Sequence, residues 1–228
     1  GWHGAEEAAV LVGTSDRSVD VDQIRRTARH SAADVLVGLQ GTRLVLVLGR
    51  MPHDPNDPNA AAPVPFSELA IRLADFFGDG PLVLGPTVDT LVSASRSARA
   101  ALAGIAVARS WRGATRPVGA DELLPERALA GDGLARRTLI EQIYAPLTAH
   151  SGELLETLWC YLDNGRSLEA TARELFVHPN TVRYRLKKVS EVIGWNATGA
   201  REALILQAAL IVGSIAQHGA KRPARAKR

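Results

Sequence analysis

The apolar positions of this chain change period once, near residue 121. Before that point they come in strand-length runs alternating with helical ones. Residues 8–13 (AAVLVG) form an unbroken apolar run ended by Gly13 and the polar Thr14, Ser15 and Asp16, the length expected of a buried strand. Val21, Ile24, Thr27 and Ala28 then recur at helical spacing. Residues 34–39 and 44–48 read as two strands joined by Gln40, Gly41, Thr42 and Arg43, a hairpin signature. Three prolines with Asp and Asn in residues 52–59 predict an exposed loop, whose carboxylates are solvated turn caps rather than calcium ligands because prolines interrupt the ligand alternation. Residues 66–77 predict a helix with Leu69, Leu73, Phe76 and Phe77 on one side, stopped by Gly78, Asp79, Gly80 and Pro81. A short strand over 82–85 and a long alanine-rich helix over 91–110 follow. This succession is that of a ferredoxin-like α+β sheet, and residues 1–120 are enough chain to bury a core.

From Asp121 onward the period is helical. Leu134, Leu139, Ile143 and Leu147 predict a linking helix broken near Pro146, so residues 121–150 are expected to connect two domains. Ser151 supplies an N-cap for a helix lined by Leu154, Leu155, Leu158, Tyr161 and Leu162, and Asn164-Gly165 closes it. Ser167 caps a short helix with Leu168, Ala172, Leu175 and Phe176 on one face. His178-Pro179 then turns tightly into a second helix, with proline at the first helical position and Gly194 as its stop. Residues 203–216 are the most apolar stretch, about a dozen residues interrupted by Gln207, short of a membrane span and expected to be buried or to form a dimer.

Charge sharpens this division. The whole chain is only +3, but residues 1–150 are net −2 and residues 151–228 net +5. Five cations, Lys221, Arg222, Arg225, Lys227 and Arg228, crowd residues 217–228, which read as a disordered basic tail. All four lysines fall in the C-terminal part, so neither a phosphate-cradling P-loop nor an N-terminal Schiff-base lysine is available. His3, His30, His53, His150, His178 and His218 are scattered and Cys160 is the one cysteine, so no metal, cofactor or disulfide is expected and a reducing cytoplasmic location follows. The opening Gly1-Trp2-His3-Gly4 lacks an initiator Met, which suggests a piece of a longer protein.

The second helix of the pair carries the candidate chemistry. Val182, Leu186, Val189 and Ile193 are spaced 4, 3 and 4 and make one narrow apolar stripe. Asn180, Tyr184 and Lys187 project nearly opposite, flanked by Arg183 and Lys188. A helix fits the major groove of double-stranded DNA, where arginine can bond guanine and asparagine adenine through two hydrogen bonds each. Asn180, Thr181, Arg183 and Tyr184 are therefore read as base or backbone contacts, and Arg185, Lys187 and Lys188 as phosphate contacts. Arg173, on the first helix, is either a further phosphate contact or a partner of Glu169 or Glu174. A solvated amphipathic helix would share the stripe, but not the capped short helix and tight turn before it.

These residues resemble a known family. The segments LLETLWCYLDNG (154–165), SLEATARELFVHPNTVRYRL (167–186) and REALILQAAL (201–210) are similar to the C-terminal helix-turn-helix of PucR/CdaR-type bacterial transcription regulators, and SRSARAA (95–101) resembles a helix of the degenerate GGDEF-like domain that precedes it. The resemblance implies a degenerate GGDEF-like domain over 1–120, an all-α helix-turn-helix domain over 151–216, and a sensory region upstream that this chain lacks. Because two-fold operators match two-fold proteins, a homodimer on double-stranded DNA is expected, with room for a small-molecule effector and with no membrane role. Arginine in place of lysine (23 against 4) and the segment ELLPERALAGD (122–132) look actinobacterial, and regulators of fatty-acid and mycolic-acid synthesis are among the relatives this suggests. Active cyclases of the GGDEF type carry glycines and a metal-binding carboxylate in the hairpin turn, whereas residues 40–44 here are QGTRL, leaving Asp16 as a lone acid. A two-metal site cannot be built from one carboxylate, so cyclase activity is not expected. A protein-interaction module using the same helices, and a nucleotide-binding enzyme, remain as the second and third readings.

Overall fold

The computed structural model describes residues 7–15, 19–51, 62–150 and 152–220. The carboxylate of Asp16, the loop at 52–59, the Ser151 cap, the basic tail from Lys221 and the opening residues lie outside them. The chain divides into two compact units, Gly1–Ala130 and Gly131–Arg228. The stretch expected to link two domains is thus shared out between them.

The first unit is built on β1 (Ala8–Ser15), whose residues 8–12 are all fully buried. Alternation sends Ala9 and Leu11 into one core and Ala8, Val10 and Val12 into another, which is why the run is apolar without a break. Helices α1 (Val21–Arg29) and α2 (Phe66–Arg72) cover the first face through Ile24, Ala28, Phe66 and Leu69. Helix α3 (Ala94–Val107) covers the second through Ala94, Ala100 and Ala101. Strands β2 (Ala33–Gln40) and β3 (Arg43–Arg50) form the expected hairpin, its two-residue turn opening at Gly41 with φ 60°, a conformation glycine adopts without a Cβ penalty. Sheet order is β2-β3-β1-β4-β5, antiparallel except where β5 (Val118–Gly119) joins β4 in parallel. The α+β class read from the sequence holds.

Strand β4 (Phe77–Leu84) corrects one expectation. The sequence makes Phe77 the end of a helix and Gly78–Pro81 its stop, but α2 ends at Arg72, a single 3-10 turn follows, and the strand already begins at Phe77. Pairing decides this: Phe77 sits opposite Ser15 across a bulge in β1, with its side chain in the core. Strand β5 has no counterpart in the sequence reading, being two residues long. Helix α4 (Leu124–Leu129) closes the unit with a fully buried arginine, Arg127, which donates to the Ala120 carbonyl at 2.9 Å and lies 3.8 Å from the Asp121 carboxylate.

The second unit is all helix. Helix α5 (Gly133–Thr138), a π-helical stretch (Leu139–Tyr144) and α6 (Ala145–His150) run on without a break. The expected break at Pro146 is absent, because the wider π turn before it accommodates a residue that has no N–H to give. Helices α7 (Gly152–Asp163), α8 (Leu168–Glu174), α9 (Pro179–Ile193) and α10 (Ala200–Ala220) complete the unit. The apolar stretch is longer than expected: α10 has 21 residues and, by length and mean hydropathy (1.2), is the one helix among the described residues able to cross a bilayer. One face is nonetheless buried, through Leu206, Ala209, Leu210 and Gly213. At Gly213 a Cβ would lie within van der Waals overlap of the Tyr144 ring, so glycine is what permits α10 to seat on the π-helical stretch, where the Tyr144 hydroxyl donates to Gln217 at 2.7 Å.

Arg127 gives a stability prediction. Burial holds the Asp121 carboxyl above its ordinary range, while Arg127 and Arg96 pull it back. Arg127→Met removes its share of that pull, and the folded chain, which already binds the Asp121 proton more tightly than the unfolded chain does, binds it more tightly still. Stability is then lost as pH rises through the raised value. Because the Asp121 side chain is 37% exposed, the cost is about 2 kcal/mol at neutral pH, below that of a fully buried pair. Urea melts should show the deficit shrinking toward about pH 4.

Candidate nucleic-acid interface

Local sequence sets the geometry of α7, α8 and α9. Asn164 and Gly165 end α7, with Gly165 at φ 63° and Arg166 also left-handed at φ 67°. The Asn164 amide donates to the Cys160 carbonyl at 2.8 Å and to the Glu174 carboxylate at 2.6 Å, tying the end of α7 to the end of α8. Ser167 caps α8 by accepting from the Ala170 N–H at 3.2 Å. Cys160 is buried there, and burial, with Glu174 nearby, pushes its thiol above the usual range, so it is a packing residue and not a nucleophile.

The turn into α9 is tighter than the sequence conveys. Phe176 leaves the helix in a left-handed conformation (φ 54°), and the N–H groups of Phe176 and Val177 return to the carbonyls of Arg173 and Ala172. Phe176 is 95% exposed, whereas the apolar spacing places it on the buried face of α8. The helix ends at Glu174, two residues short of Phe176, so that spacing no longer applies there; a glycine at this position would have signalled the end. His178 then caps α9, its Nδ1 accepting from the Asn180 N–H at 3.1 Å, with Pro179 at the first position. The capping role of His178 is not legible from residue type, since caps are ordinarily Ser, Thr, Asp or Asn.

Val182, Leu186 and Val189 are buried where α9 packs on α7 and α8, and Ile193 is half-buried. The opposite face holds Asn180, Arg183, Tyr184 and Lys187, all exposed, with Tyr184 at 66% and the Lys187 side chain at 77%. Thr181 is half-buried at the rim. Arg183 donates to the Asn180 side-chain oxygen, so the two side chains lie together one turn into the helix. Lys188 is 3.0 Å and Lys187 4.0 Å from Glu191, an acid the sequence reading passed over. The ion pair holds the Lys188 amine above and the Glu191 carboxyl below their ordinary values.

Arg185 departs from its expected role. Its side chain is only 18% exposed, paired with Glu153 at 3.0 Å and donating to Thr157 at 3.3 Å, so it fastens α9 to α7 rather than facing outward. Arg173 is exposed in the last turn of α8, while the Glu174 carboxylate is taken up by Asn164. No metal-competent cluster of His, Cys, Asp or Glu occurs among the described residues.

A short capped helix, a four-residue turn and a second helix offering amide, guanidinium and phenol groups outward define the class: a helix-turn-helix protein. Known proteins agree. The PucR C-terminal helix-turn-helix domain matches residues 154–212 and the GGDEF-like domain residues 1–107. Uncharacterized proteins of Mycobacterium tuberculosis and Mycobacterium bovis are each 39% identical over 226 residues, covering 94% of this chain and 52% of their own length. The chain thus spans about half of these curated relatives. The crystal structure of a regulator of polyketide synthase expression from Bifidobacterium adolescentis is 34% identical, with a TM-score of 0.74 over 95% of this chain and 83% of that one. The chain belongs to the PucR-type family of bacterial transcription regulators.

The cap on α8 is open to a direct test. Ser167→Ala removes the acceptor for the Ala170 N–H and should cost about 1 kcal/mol in chemical denaturation, whereas Ser167→Asp restores an acceptor and most of the loss. Equal stability of both variants and the parent would show that the cap contributes nothing.

Proposed function

We propose that this chain reads double-stranded DNA sequence-specifically as a homodimer, in the cytoplasm, and acts in transcription without catalysis of its own. The observation that carries the reading is the outward face of α9, where Asn180, Arg183, Tyr184 and Lys187 stand opposite a buried stripe at the start of a second helix-turn-helix helix. In that position the N-terminal residues of the helix reach base edges. Arg183 donates to the Asn180 side-chain oxygen in the free protein, which leaves that oxygen's second lone pair and the amide NH2 for adenine. Thr181, Lys187 and Lys188 supply sugar and phosphate contacts, the lysines leaving Glu191 as phosphates approach, and Arg173 adds a contact from α8. Arg185 acts indirectly, by holding α9 on α7. The acid-free turn of the β2–β3 hairpin supports the view that the GGDEF-like unit does not cyclise nucleotides.

The target genes are a further step. Polyketide and fatty-acid synthesis share one carbon–carbon bond-forming chemistry, and the Bifidobacterium relative is named for control of the former. This supports genes of long acyl-chain assembly, including fatty-acid and mycolic-acid synthesis, as the regulated set, with a small-molecule effector governing the response.

Helix α10 supplies a surface for the dimer. Leu204, Ala208, Ile211 and Ile215 point within about 60° of one another and directly away from the buried face, and residues 203–217 carry no charge. Their spacing of 4, 3 and 4 reads the same in both directions, so a second copy crossing antiparallel places Leu204 against Ile215 and the small Ala208 against Ile211. One helix pair falls short of the ~1,200 Å² of a standard interface, so the two half-sites of DNA are expected to reinforce it.

Two measurements check these readings. In fluorescence anisotropy with upstream DNA fragments, the Asn180→Ala/Arg183→Ala variant should lose preference for the cognate fragment, at about 1–3 kcal/mol per lost base contact, yet keep weak salt-sensitive binding. Unchanged selectivity would instead favour a protein-interaction module. In sedimentation velocity, Leu204→Glu with Ile211→Glu should give a monomer of unaltered helix content, and a parent chain that is already monomeric with and without operator DNA would remove the α10 interface.

A further inference from the structure

Two open cavities on the first unit differ in their electrostatics. The larger, of about 470 Å³, sets Arg50 beside Glu7 and Asp121. The Arg50 guanidinium lies 3.6 Å from the Glu7 carboxylate, donates to the Val64 carbonyl at 2.7 Å and stacks 4.6 Å from the Phe66 ring centroid. Its charge is compensated and its donors are engaged within the fold.

The smaller cavity, of about 390 Å³, lies between the start of β4 and the segment after α3, and it is not balanced in this way. Arg109, Arg112 and Arg116 line it, with no carboxylate among the described residues that line it. Arg116 donates to the carbonyls of Phe77, Gly78 and Gly80 at 3.2, 2.8 and 3.0 Å, which fixes the guanidinium without a carboxylate partner among the described residues. Arg109 and Arg112 are exposed, and among the described residues neither has a carboxylate partner; Asp79, beside the cavity residue Gly80, pairs with none of the three. Trp111 supplies an apolar wall, half-buried against the core beneath α3, and Gly113 permits its position because a Cβ there would come within 2.9 Å of the indole nitrogen. None of the hairpin-turn residues 40–43 lines this cavity.

Three guanidinium charges, with no acid paired to them among the described residues, favour a ligand of more than one negative charge. A tetrahedral phosphate offers oxygens to two guanidinium forks at once, which a single carboxylate does less well. The remaining volume and the indole favour a flat apolar body attached to that phosphate. We infer that the cavity bounded by Arg109, Arg112, Arg116 and Trp111 binds a small phosphomonoester, its phosphate between Arg109 and Arg112 and its ring on Trp111. This site is independent of DNA reading by α9.

Isothermal titration of the whole chain with phenyl phosphate, inorganic phosphate and phenol tests it. Phenyl phosphate should bind more tightly than inorganic phosphate, phenol should give no heat, and Arg109→Ala or Arg112→Ala should each weaken binding roughly tenfold at an unchanged melting temperature. Arg116 is left intact because it holds β4. Arg112→Lys should recover part of the affinity, since it restores charge without the fork. Absence of binding by the folded parent, or identical titrations for the parent and the Arg109→Ala/Arg112→Ala variant, would overturn the site. So would a double variant that loses nonspecific DNA affinity while the parent ignores phenyl phosphate, for then these arginines serve the DNA backbone.

Discussion

What α9 can offer a partner depends on the burial of Val182, Leu186 and Val189. With those three against α7 and α8, the helix has no rotational freedom, and the residues opposite must face solvent. Arg185 adds a second restraint from the side, through Glu153 and Thr157. An exposed array of amide, guanidinium and amine groups on a free helix would sample many directions. On a helix fixed along one edge it becomes a preorganised surface, which lowers the entropy lost on binding.

The first unit obeys a different constraint. Strand β1 is covered on both faces and hydrogen-bonded on both edges, so the sheet is organised around it and its end is held in place. Ser15 at that end donates to the Thr42 carbonyl at 2.8 Å, joining the strand to the hairpin turn. The scaffold on which nucleotide chemistry is built elsewhere in such folds is therefore preserved, while the turn carries glycine and threonine without an acid. Fold and chemistry are separable, because core residues and site residues answer to separate physical demands.

Much of both units was legible in the chain. The run at residues 8–13, the Gln40-Gly41-Thr42-Arg43 turn and the 4-3-4 stripe of α9 each combine a period with a terminator, and each became the expected element. The failures share a cause. Phe77 and Phe176 are both apolar residues at the edge of a helical pattern, and periodicity assigned both to a helix face. Strand pairing with Ser15 took the one, and a left-handed turn exposed the other. Pro146 was read as a break because a π turn, which relieves it, has no sequence signal of its own.

The sequence by itself determined the order of the elements, the class of each unit, the two faces of α9 and the residue types on them, because these follow from local spacing and from the conformational limits of glycine and proline. Tertiary structure alone decided that Arg185 turns inward, that Glu191 shares two lysines, that His178 caps α9, and that Arg109, Arg112 and Arg116 line one cavity. Those outcomes depend on which side chains meet through space, from separate turns and separate elements, and no periodicity along one segment encodes such a meeting.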